Sequence, residues 1–181
     1  ALRGFLARIL GWDRKRGEAV DFAVRTVRFA ATQRAALALC GGGDLVPIAR
    51  GLHRYAMGDE RPFVLCDPRR RASAAGATLA NYTTGMPAFR AAAGGSMCVR
   101  SKRLPRDFAE IITMLRDPGS HVQLIVCGPR PPDRTELVSA PIEIPALSTR
   151  PHEVDRIIDE YAHDAAAALR SSVPFTQVDR D

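Results

Sequence analysis

Short continuous runs of apolar residues alternate along this chain with segments whose apolar residues recur at helical spacing. The runs are Ala36–Cys40, Phe63–Cys66, Met97–Val99 and His121–Cys127, and Pro141–Pro145 reads as a fifth strand. Between them, Val20, Ala23, Val24, Val27 and Ala31 form a helical stripe over 18–32. Ile48, Ala49 and Leu52 do the same over 45–57, where Pro47 fits only in a first turn. Phe108, Ile111, Ile112 and Leu115 predict a helix over 105–116. Val154, Ile157, Ile158 and Tyr161 predict the buried face of a last helix over 151–170, with Thr149 and Pro151 near its start. Residues 1–17 read as a short helix followed by a basic turn, and the Arg-, Ala- and Gly-rich stretch 69–95 shows no assignable period.

Apolar strands alternating with helices predict an α/β fold, a three-layer sandwich around a mainly parallel five-stranded sheet. Strands that are apolar throughout suit a sheet covered on both faces. The expected organisation is a helical, basic lead-in over 1–17, an α/β domain over 18–172, and the start of a following segment over 173–181. The chain does not begin with Met, and we expect it to be a section of a longer protein. No apolar run approaches the ~20 residues that a membrane span needs, and the Arg-interrupted N-terminus does not suit a secretory signal.

Charge and cysteines narrow the picture further. The 181 residues carry a formal net charge of +6, and of the 26 basic residues only Lys15 and Lys102 are lysine. Such a balance permits an anionic partner, nucleic acid above all. Cys40, Cys66, Cys98 and Cys127 form no C-x-x-C pair, and each sits in or at the end of an apolar run. We read them as reduced core residues, which implies a reducing cytoplasm.

Four blocks, in order, give a resemblance. They are Gly43–His53, Arg61–Asp67, Ala92–Val99 and Ile144–Val154. Together they resemble the P-loop helix, the strand after it, the metal-binding strand and the start of the last helix in the AAA+ ATPase domain of bacterial enhancer-binding proteins, the activators of sigma-54 RNA polymerase. The resemblance spans about 35–165 and implies a P-loop NTPase-like core, here with a reduced or absent lid.

The departures from that pattern fall on the chemistry. A P-loop needs G-x-x-x-x-G-K-S/T, because amides and Lys cradle phosphates and the hydroxyl holds Mg²⁺. Here the stretch is Cys40-Gly41-Gly42-Gly43-Asp44-Leu45-Val46, and no G-K-S/T exists anywhere in the chain. Asp44 would set an anion beside the phosphates, at a cost on the order of a few kcal/mol in a low dielectric. Where the family's third strand ends in an acid pair that serves Mg²⁺ and water, Val99 is followed by Arg100-Ser101-Lys102-Arg103. Pro129 falls near the polar sensor position after the fourth strand. The sigma-54-gripping GAFTGA loop has no counterpart between Asp67 and Gly94, and the arginine-finger segment shrinks to about a dozen residues, leaving Arg130 and Arg134 as the only remnants to consider.

The resulting expectation is a pseudo-ATPase, because hydrolysis needs cradle, metal site and acid together. It would be a non-catalytic regulatory module of a bacterial transcriptional regulator, acting by scaffolding or self-association alongside other domains, with no cofactor. Two alternatives stay open: an active ATPase that uses ATP and Mg²⁺ through atypical residues, and an anion or nucleotide sensor without hydrolysis. Candidate anion-binding residues are Gly41, Gly42, Gly43, Arg100, Lys102, Arg103 and Arg130; no catalytic or metal residue is assigned. In a parallel sheet, Arg69–Arg71, Arg100–Arg106 and Arg130–Arg134 share one rim, which would face nucleic acid or an acidic protein surface. The alternative is solvated arginines with local acidic neighbours. His53 is expected to pack or cap, His121, His152 and His163 to lie at the surface, and the acidic face of the last helix to be solvated or to pair with the rim of another copy.

Overall fold

Side chains in a strand alternate between the two faces of a sheet, so an apolar run feeds two cores at once. The computed structural model, which describes residues 1–74, 77–130, 140–170 and 176, shows this partition. The strands are β1 (Leu37–Cys40), β2 (Phe63–Cys66), β3 (Ala80–Tyr82), β4 (Ser96–Arg100), β5 (Gln123–Gly128) and β6 (Ile142–Glu143). They form one sheet in the order β3-β2-β4-β5-β1-β6, and every pairing is parallel.

The helices are α1 (Leu2–Leu10), α2 (Gly17–Gln33), α3 (Val46–Met57), α4 (Gly85–Ala91), α5 (Phe108–Leu115) and α6 (Val154–Leu169). Leu37, Leu39, Leu65, Cys98 and Ile125 face a core shared with α1, α2 and α3. Val64, Cys66, Met97, Val99 and Val126 face a second core under α4 and α5. This is the three-layer sandwich that the sequence predicts. All four cysteines are free and buried in it. Burial pushes the Cys66 thiol up to about 11, and the hydrogen bond between Cys98 and Cys127, together with burial, pushes Cys98 well up, so both stay protonated.

Among the described residues the sheet has six strands rather than five. The extra one, β3, is three residues long and lies in the stretch without periodicity; a strand that short has no room to show alternation. The expected fifth strand narrows to Ile142–Glu143 between its flanking prolines, which lack the N–H a ladder needs.

The segment 1–17 packs into the main core through Leu2, Leu6, Ile9 and Leu10. The Phe5 ring presses so closely on α3 that a Cβ at Gly51 would strike it. The last carbonyls of α1 have no partners within the helix. The buried Arg150 guanidinium supplies them, donating to Ile9 O and Arg8 O while its Nε donates to Glu153 at 2.7 Å. Glu153 in turn accepts the Trp12 N–H at 3.0 Å.

The buried face predicted for the last helix is narrower than expected. Ile157 is buried, Val154 and Ile158 are half-buried, and Tyr161 is 48% exposed. Polar contacts hold that side instead: the Arg8 guanidinium lies 4.6 Å from the Tyr161 ring centroid and pairs with Glu160 and Asp164. The acidic face is therefore partly neutralised from within the chain.

Candidate functional site

Parallel pairing sends β1, β2, β4 and β5 out along one edge, and that edge is where such folds gather ligands. The loop after β1 is the glycine run. Gly41 N–H donates to Gly128 O at 3.0 Å, and a Cβ at Gly41 would come within 2.9 Å of the Ile144 carbonyl. Gly43 has φ +75°, in the left-handed region that favours glycine. Five residues, 41–45, carry the chain from β1 into α3.

Asp44 closes that turn. Its Oδ1 accepts the Val46 N–H at 3.1 Å, so a carboxylate of the chain itself occupies the start of α3. Unpaired N–H groups there favour negative charge. Arg100, the last residue of β4, reaches across and donates to both oxygens of Asp44, at 2.7 and 3.4 Å. The hydrogen bond from Arg100 holds the Asp44 carboxyl below its ordinary pKa, with burial opposing and Val46 N–H assisting. The same bond raises Arg100.

A second carboxylate backs the arginine. Asp67, at the exit of β2, is 1% exposed and accepts from Arg100 Nε and Arg103 Nη1, each at 3.2 Å. Its other oxygen accepts the Arg69 N–H at 3.0 Å. Asn81 on β3 braces the turn: its carbonyl accepts Asp67 N–H, and its amide donates to the carbonyls of Asp67, Arg70 and Arg71. Two strand ends and the glycine loop are thus tied into one carboxylate–guanidinium network.

The predicted residues divide. Gly41, Gly42, Gly43, Arg100, Lys102 and Arg103 line one cavity of about 280 Å³. Arg130 is exposed, follows Pro129 of the wall and is not part of the lining. The close approach of the wall is set by Gly128, where a Cβ would strike the Ser101 hydroxyl. Of the arginines expected on a shared rim, Arg100 and Arg103 have acidic partners, Asp44 and Asp67. Arg134 and the stretch Phe175–Asp181, apart from Thr176, lie outside the described residues.

Asp67 and Asn81 were not singled out from sequence. The usable signal for Asp67 was a carboxylate closing an apolar strand whose neighbour ends in arginine. Asn81 gave none, being one polar residue in an aperiodic stretch.

His53 is buried, with Nδ1 2.8 Å from Ser96 Oγ and Nε2 2.9 Å from the Arg61 carbonyl. Burial pushes its pKa down, and a neutral ring donating through Nε2 and accepting at Nδ1 satisfies both contacts. It packs, as its position suggested. His121, His152 and His163 are exposed.

The described residues form a three-layer α/β sandwich around an all-parallel sheet. No family model and no curated protein matches the chain. Among solved structures it is similar to NtrX from Brucella abortus in complex with ADP, at a TM-score of 0.53 and 17% identity, over 82% of this chain and 40% of that one. NtrX from the same organism in complex with ATP gives 0.52 and 17%, over 90% and 45%. The P-loop NTPase domain of a sigma-54 transport activator from E. coli gives 0.43 and 15%, over 64% and 78%. The likeness to NtrX is one of fold, and the chain spans less than half the length of the NtrX structures it matches. No helix among the described residues is long and apolar enough to cross a membrane.

Proposed function

We propose that this chain is a non-catalytic, AAA+-like regulatory module of a bacterial transcriptional regulator, acting by scaffolding or self-association. The observation that carries the reading is the Asp44–Arg100 ion pair across the glycine loop. A phosphate-binding loop offers N–H groups and a cation to an anion and keeps its acids for the metal. Here the signs are exchanged: the acid lies on the loop and the cation on the strand. A triphosphate would have to displace the Asp44 carboxylate from the Val46 N–H and then lie beside it. Mg²⁺ would have to take Asp67 from two arginines. The residues present therefore do not fit Mg²⁺–triphosphate.

The NtrX structures hold ADP and ATP. The fold shared with NtrX, together with the sequence resemblance to sigma-54 activators, supports the regulator half of the reading; the exchanged charges support its non-catalytic half. The test is phosphate release from ATP with Mg²⁺, run beside sedimentation of the same sample. The expected result is release at the background rate, with the sample sedimenting above monomer mass as concentration rises. Mg²⁺-dependent turnover would overturn the non-catalytic reading, and a monomer at every concentration would remove self-association.

A further inference from the structure

A larger groove, about 760 Å³, lies on the other side of Asp44, along α3 and the chain that runs from β2 towards β3. Four arginines converge on it: Arg50 and Arg54, one turn apart on α3, Arg61 before β2 and Arg70 after it. The groove also contains two carboxylates, and both are engaged, Asp44 by Arg100 and Asp59 by Arg54. Among the described residues, Arg50, Arg61 and Arg70 have no carboxylate within ion-pair distance.

The charge of Arg61 reaches a neighbouring cation: after burial, it pushes Arg34 down. Like charges gathered around a concave surface attract an anion, and guanidinium forks suit phosphate oxygens. Half-buried Phe63 and Leu79 give the groove an apolar side as well. Its volume falls in the range of small-molecule sites. Asp44 and Asp59 flank α3 at its two ends, so a phosphate backbone continuing along the helix would meet a carboxylate whichever way it ran.

We propose that this groove binds the phosphate chain of a nucleotide-sized, polyphosphorylated small molecule, at a place separate from the glycine loop. The site does not depend on whether the module hydrolyses ATP. Calorimetric titration of the chain with inorganic tripolyphosphate, without Mg²⁺ and at low salt, is the test. Saturable binding is expected, weakened by at least about tenfold in the double variant Arg50→Gln/Arg61→Gln, which loses two charge-assisted contacts. The control Arg25→Gln/Arg28→Gln removes equal charge from the exposed side of α2 and should stay within about twofold, as long-range charge is screened. All four side chains are exposed, so melting curves should show every variant folded. No saturable heat, equal binding by the groove variant, or equal loss in the control would overturn the proposal. A single-stranded oligonucleotide bound more tightly than tripolyphosphate, and lost with Arg50 and Arg61, would overturn it in favour of nucleic acid.

Discussion

Two arginine–carboxylate clusters in this molecule use the same chemistry to opposite ends. At Arg150, guanidinium and carboxylate are both buried, 3% and 5% exposed, and they join chain segments about 140 residues apart in sequence. Every nitrogen of Arg150 has a partner: Nε the Glu153 carboxylate, and the other two the carbonyls of Ile9 and Arg8, which α1 cannot satisfy itself. At Arg100 the arrangement is open on one side: Asp67 is sealed, but the Asp44 side chain is 55% exposed and lines the groove along α3. A closed cluster acts as a joint, because water cannot replace any member. An open one can exchange partners, because solvent or a ligand can take one place.

The largest expected effect comes from breaking the joint. Arg150→Met leaves Glu153 buried without its cation and returns two helix-end carbonyls to no partner. The expected cost is about 3–5 kcal/mol, typical of removing one member of a buried pair and a large share of a domain's ~5–15 kcal/mol. Urea unfolding measures it, and a loss under about 1 kcal/mol would mean that water enters and the joint is not closed. Burial alone would raise the Glu153 carboxyl, but Trp12 N–H and Arg150 outweigh it and hold it low. Its contribution is therefore complete above the unfolded carboxyl pKa and disappears as pH falls through the lower folded value. Arg150→Met should flatten that acid limb.

Asp67 lies between the two extremes, being sealed itself while its partners face solvent. Asp67→Asn keeps the shape and an oxygen for Arg69 N–H, but removes the charge shared by Arg100 and Arg103. An expected loss of about 1–3 kcal/mol follows from hydrogen bonds to a charged group. Thermal melting of the variant beside Arg103→Gln separates the halves: Arg103 is 43% exposed in its side chain and should cost well under half as much.

The joint and the open cluster were not equally legible in sequence. The strands of the inner sheet and the helices over them follow from hydrophobic spacing, since a fully covered strand must be apolar along its whole length. β3 and the bracing role of Asn81 were not legible, because three residues carry no period and a hydrogen-bonded amide has no pattern. Glycine, arginine and lysine at the strand ends were identified, and the fold gathers six of the seven candidates around one cavity. What composition could not give was pairing. From sequence Arg100 could serve an anion or pair with a local acid, and only the register of β4 against β2 and the reach to the β1–α3 turn showed which acids it meets. Arg150 was hidden likewise: a charged residue beside Pro151 reads as surface until α1 folds over it.

The smallest effect on stability bears most on function. Asp44 and Arg100 form a partly solvated pair, and such pairs contribute about 0–1 kcal/mol. Asp44→Asn should therefore melt within a few degrees of the parent, while Asn can still accept the Val46 N–H through its amide oxygen. It should also erase the small acid-side loss that a depressed carboxyl produces, a loss that sets in as pH falls through the folded pKa of Asp44. Its effect on the cavity is larger than its effect on the fold. With the carboxylate gone, Arg100 keeps only Asp67, and the start of α3 faces Gly41–Gly43 without a built-in anion. Sulfate or tripolyphosphate should then bind the loop cavity measurably more tightly in Asp44→Asn than in the parent, by about tenfold for one removed like charge at short range in a partly screened site. Calorimetry on Asp44→Asn in the Arg50→Gln/Arg61→Gln background reads this gain with the second groove weakened, and Arg103→Gln, which alters only the loop cavity, should reduce it. An unchanged affinity there would mean that the loop geometry, and not the exchanged charge, keeps phosphate out.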